Sequence, residues 1–102
     1  MEAITMDHRI VILGDKAKVK PGTVIVGVGD IVTFESHDTD AVVSFPPGLA
    51  PFASSSLNVP AVGICAPQIV NGAPGVYAYS AYCTRHRHFA LGESDPIIII
   101  KR

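Results

Sequence analysis

A chain of 102 residues has room for one small domain, spanning 1–102, with a single core. Hydrophobic residues make up 48% and charged residues 17%, which excludes a disordered chain; the formal net charge of −1, eight Lys/Arg against nine Asp/Glu, gives no electrostatic footprint for nucleic acid. Apolar runs such as Ile97 to Ile100 fall far short of the roughly 20 residues of a transmembrane helix. Met1 to Arg9 carries Glu2 and Asp7 and lacks the apolar stretch of a secretory signal.

Nine Gly and eight Pro interrupt the chain at short intervals, and β-branched residues dominate its apolar runs, so the architecture is expected to be all-β. A first strand is expected over Ile4 to Ile12, bent near Asp7 and closed by Gly14-Asp15. Val19 precedes a turn at Pro21-Gly22. Thr23 to Val26 and Ile31 to Glu35 then read as strands around a Gly29-Asp30 turn. Ser36 to Asp40 reads as a polar loop, and Ala41 to Phe45 as a strand that Pro46-Pro47-Gly48 stops. Residues 46–75 read as loop-rich, with short strands possible at Ala61 to Cys65 and Gln68 to Val70. Val76 to Cys83 reads as one strand with Tyr77, Tyr79, Ala81 and Cys83 on one face. Residues 84–92 read as a loop, and Ile97 to Ile100 as a final strand, either buried on both faces or central and capped by Lys101-Arg102. About seven or eight such strands predict a β-sandwich.

Chemistry concentrates in Tyr82-Cys83-Thr84-Arg85-His86-Arg87-His88. A thiolate and neutral imidazoles suit Cu or Zn, and a Cys-x2-His loop can direct both donors at one ion. The plainer readings are a buried structural Cys83 and surface-loop imidazoles at His86, His88 and His37. His8 reads most simply as a strand-surface residue. Cys65, in an apolar Pro-flanked stretch, reads as an inert buried thiol, with a Cys65 to Cys83 disulfide as the competing arrangement. Arg85 and Arg87 would lower the Cys83 pKa, guide an acidic partner, or simply be solvated on an exposed loop.

In order and spacing the chain resembles the cupredoxins, small blue copper proteins of the plastocyanin and pseudoazurin type. The resemblance lies in Val28-Gly29-Asp30-Ile31-Val32-Thr33-Phe34, Val43-Ser44-Phe45, Tyr79, Tyr82-Cys83, His86 and Leu91-Gly92, and covers most of the chain outside residues 46–75. It implies a Greek-key β-sandwich, a mononuclear copper site, electron transport or copper handling, a redox or copper-exchange protein partner, and a periplasmic or other extracytoplasmic location. It also implies no enzymatic activity; a Cys83 nucleophile with a histidine base is the weaker, enzymatic alternative.

Two positions depart from the pattern. The upstream ligand His falls on Ala41 and the axial Met on Leu91, neither of which carries a donor. The expected metal set is therefore Cys83 and His86, completed by His37 or His88, with Asp38 and Asp40 as further oxygen donors from the same loop. The alternative is a metal-free cupredoxin-fold binding or subunit module that has lost its copper site.

Overall fold

The computed structural model describes residues 6–16, 18–61, 67–90 and 96–101. These residues form strands β1 (Asp7–Leu13), β2 (Lys18–Lys20), β3 (Thr23–Val26), β4 (Ile31–His37), β5 (Ala41–Ser44), β6 (Ser56–Val59), β7 (Gln68–Ile69), β8 (Gly75–Ala78), β9 (Ser80–Cys83), β10 (His88–Phe89) and β11 (Ile97–Ile100). The strands assemble in the orders β2-β1-β4-β7, β10-β9-β5-β6 and β3-β11-β8. Among the described residues no helix is long and apolar enough to cross a membrane.

Period-two alternation explains which faces meet. Ile10 and Ile12 of β1, Val32 and Phe34 of β4, Val43 of β5 and Ile98 of β11 are fully buried, while their neighbours in sequence face outward. Phe34 sits against Phe52 and Tyr79 edge-on, with ring centroids 6.2 and 5.9 Å apart, and Phe45 closes the cluster on Tyr79 at 5.2 Å. Burial of this apolar face is what holds the layers together.

Several expectations are refined. The first strand runs over Asp7–Leu13, with Met6 exposed ahead of it; Ile4 lies outside the described residues. The stretch expected as one strand from Val76 to Cys83 divides at Tyr79, with β8 in one sheet and β9 in another. Tyr79, Ala81 and Cys83 are buried on one face as expected, and Tyr77 packs partly against the same core. The predicted strand at Gln68 is β7; the one at Ala61 to Cys65 falls mostly outside the described residues. β6 lies in the segment read as loop and pairs antiparallel with the whole of β5. β11 is central, between parallel β3 and antiparallel β8, but buries one face only, with Ile98 and Ile100 inward and Ile99 flanked outward by Ile25 and Val76.

Parallel pairing of β1 with β4 and antiparallel pairing of β5 with β9 bring four chain segments to one end of the sandwich: Gly14, His37 to Asp40, Ala41, and Cys83 to His88. That end holds the candidate site.

Candidate metal centre

Cys83 is the last residue of β9, fully buried and with a free thiol. Burial pushes its pKa up, because the charged thiolate loses hydration there. The arginines of the next turn do not reverse this: Arg85 instead pairs with Asp38 Oδ1 at 3.0 Å. The free thiol also sets aside the Cys65 to Cys83 disulfide. Cys65 itself lies outside the described residues, as does Leu91.

A turn over residues 84–87 leads from β9 into β10, closed by Arg87 at a φ of 54°. It is stitched to the loop after β4. The Thr84 amide and hydroxyl both donate to the Asp40 carbonyl at 3.0 Å, and the Arg85 amide donates to Thr39 Oγ1 at 3.0 Å. Thr39 is buried, and its own carbonyl accepts the Ser36 hydroxyl at 2.6 Å. Asp38, at a φ of 69°, turns this loop so that its carboxylate faces the histidine turn.

The turn brings two imidazoles together. His86 and His88 stack with ring centroids 5.5 Å apart and an interplanar angle of 17°. His86 Nε2 lies 3.3 Å from Asp38 Oδ2 but is not aligned for a hydrogen bond, and His88 Nδ1 is likewise buried with no hydrogen-bond partner among the described residues. Buried polar atoms without partners are uncommon and call for a physical reason, an ion among them.

His37 is placed differently. It ends β4 on the outward face, more than half exposed, with Nε2 at 2.5 Å from Glu35 Oε2, so the structure does not bring it to Cys83. Asp40 is also engaged elsewhere, its Oδ1 accepting the Ala61 amide. Ala41 is buried and stands directly opposite Cys83 across the β5/β9 ladder. His8, read as a surface residue, is half-buried and bonded to Asp30 Oδ2 at 2.9 Å. Among the described residues, no three His, Cys, Asp or Glu side chains stand close enough as placed to hold a metal ion.

Gly14 was read from the sequence only as a break after the first strand. In the fold a Cβ there would stand 2.6 Å from Thr39 Cγ2 and 3.0 Å from His86 Cδ2, so the bare backbone is the seat of the His86 ring. The link runs through the parallel β1/β4 pairing, for which the sequence carries no local signal.

No family model matches the chain, and no curated protein matches it in sequence. Solved structures do match in shape. The chain superposes on a Cu(I) form of an amicyanin mutant with a TM-score of 0.64 at 20% identity, covering 98% of this chain and 87% of that one. It superposes on a chain of a heme-copper terminal oxidase dimer with a TM-score of 0.60 at 14% identity, covering 94% of this chain and 65% of that one. A third match is the copper-containing nitrite reductase from Thermus scotoductus SA-01, with a TM-score of 0.57 at 18% identity; all of this chain aligns with 23% of the reductase chain.

Proposed function

We propose that this chain, which has the cupredoxin-like fold, binds copper at the Cys83 end of its sandwich and serves in electron transfer or copper handling. The observation that carries the reading is the convergence there of a fully buried free thiol with two stacked imidazoles, each holding a buried nitrogen that no hydrogen bond satisfies. This donor set fits copper by chemistry, a soft sulfur with borderline nitrogens. The side chains do not enclose an ion as they stand. Neither of the two buried nitrogens is held by a hydrogen bond, and His86 Nε2 faces the Asp38 carboxylate at 3.3 Å.

Copper in such a site supplies one-electron chemistry. The chain's own contribution is positional. The ladder of β9 with β5 and β10 fixes Cys83, the Thr39 and Asp40 hydrogen bonds fix the turn, and Gly14 seats the His86 ring. A carrier is favoured over an enzyme because the thiol is fully buried and presents no nucleophile to a substrate. The partner on this reading is a redox or copper-exchange protein that docks at this end, where Phe89 is half exposed against Tyr82 and Arg85 lies on the surface.

Titration of the reduced, metal-free protein with Cu(II), followed by visible absorption and metal content, tests the proposal. Wild type is expected to take up one equivalent with a charge-transfer band that Cys83→Ala abolishes. A colourless protein that retains no copper would overturn it in favour of a metal-free binding or subunit module, the reading that the methyl group of Ala41 opposite the thiol supports.

A further inference from the structure

Cys83 occupies the middle of a cross-strand row. It stands opposite Ala41 on β5 and opposite His88 on β10, and Ala41 stands opposite Val59 on β6. Residues directly opposite in antiparallel strands project to one face of the sheet with Cβ atoms about 4.5–5.5 Å apart. The inner face at this level therefore reads His88, Cys83, Ala41, Val59. One neighbour of the thiol offers an imidazole, the other a methyl group.

We infer that His88 supplies the second imidazole of the centre, so that Cys83, His86 and His88 form a Cys-x2-His-x-His set drawn from a single turn and its two flanking strands. The inference rests on the metal-binding reading above and goes beyond it by assigning the third donor. Its support is geometric. His88 is held beside the thiol by strand register rather than by a free loop, and its ring is stacked on that of His86. Its Nδ1 is buried without a partner among the described residues. His37, the competing histidine, is on the outward face and tied to Glu35. The carboxylate of Asp38 lies 3.3 Å from His86 Nε2, the same nitrogen that no hydrogen bond satisfies, and so stands beside the donor edge of that ring.

The experiment is an anaerobic Cu(II) titration of the full chain, read by visible absorption and metal retention against a competing chelator. It compares wild type, Cys83→Ala, His37→Ala, His88→Ala and His88→Gln. His37→Ala is expected to keep the Cys83-dependent band. His88→Ala and His88→Gln are expected to lose or shift it and to hold copper at least about 100-fold less tightly, the upper end of what disturbing a ligand's support already does. Unchanged circular dichroism and thermal unfolding of metal-free His88→Gln would show that the loss is not misfolding. A wild-type band and affinity in His88→Ala overturns the assignment and leaves the copper reading standing, as does loss of the band in His37→Ala alone. Absence of any Cys83-dependent band in wild type overturns both.

Discussion

Two residues at the site make opposite demands on space. Gly14 must have no side chain: the Cβ of an alanine would press on Thr39 at 2.6 Å and on the His86 ring at 3.0 Å, and Thr39 is pinned by the Arg85 amide and buried. Gly14→Ala is therefore expected to cost about 1–3 kcal/mol, as overpacking does in a filled interior. Chemical denaturation of the metal-free protein measures that loss, and a shifted copper band in the same variant would report the displaced ring. Stability equal to wild type would mean that Thr39 gives way freely. Cys83, in contrast, is already enclosed. A buried thiol whose pKa is pushed up by desolvation is both inaccessible and protonated. Peptide mass spectrometry after iodoacetamide treatment at neutral pH is expected to find Cys83 unmodified in the folded protein and modified after unfolding. Rapid labelling of the native state would show an open site and reinstate a nucleophilic role.

At the scale of the strand, the decisive feature is the division at Tyr79. Its amide donates to the Pro96 carbonyl at 3.1 Å as the chain passes from one sheet to the other, and its ring fills the space between Phe34 and Phe45. Its hydroxyl is buried with no partner among the described residues, and burial drives its pKa well above the ordinary value. An unpaired buried hydroxyl carries a desolvation penalty while the ring supplies the packing. Tyr79→Phe is thus expected to leave stability unchanged or raise it by up to about 1 kcal/mol, read as a thermal midpoint at or above wild type; a clear loss would mean that a water or ion satisfies the hydroxyl. The period-two pattern of Tyr77, Tyr79, Ala81 and Cys83 was legible in the sequence, because alternation depends on the strand alone. The sheet change was not, since it depends on which neighbour each half pairs with. β6 was hidden for a different reason: Ser54 to Ser56 and Asn58 are turn-like in composition, and only pairing with β5 turns Leu57 and Val59 inward. At the site, local spacing disclosed Cys83, His86 and His88, whereas separating His88 from His37 required strand register, and Gly14 and Thr39 required contacts between distant segments.

Across the whole molecule, the two ends of β4 carry different chemistry. His37 and the histidine turn lie at one end; at the other, about 20 Å away for seven residues of strand, the carboxylate of Asp30 gathers three donors. The amides of Gly27 and Met6 donate to it at 2.9 and 3.2 Å, and His8 Nε2 lies at 2.9 Å. This carboxylate joins the end of β3 to the start of β1, and so ties together strands of two different sheets. The Gly27 amide, then His8, then the Met6 amide favour the charged form, and together they outweigh desolvation, so the Asp30 pKa lies below its ordinary value of 3.8. The sign follows from linkage: a carboxylate depressed in the folded state contributes stability that is present above its unfolded pKa and lost as pH falls through the folded one. Glu35 is also depressed, by His37 first and by Arg9, but a surface pair of this kind contributes little. Denaturation midpoints measured from neutral pH down through the carboxylate range are therefore expected to fall in wild type and in Glu35→Gln alike. Asp30→Asn should be less stable at neutral pH and show a flatter acid limb, because the group that binds the extra proton on unfolding is gone. A wild-type acid limb in Asp30→Asn would assign the acid sensitivity to other carboxylates. On the copper-binding proposal, the Cys83-dependent band of Asp30→Asn should match wild type wherever the protein is folded, since Asp30 and Cys83 lie at opposite ends of β4.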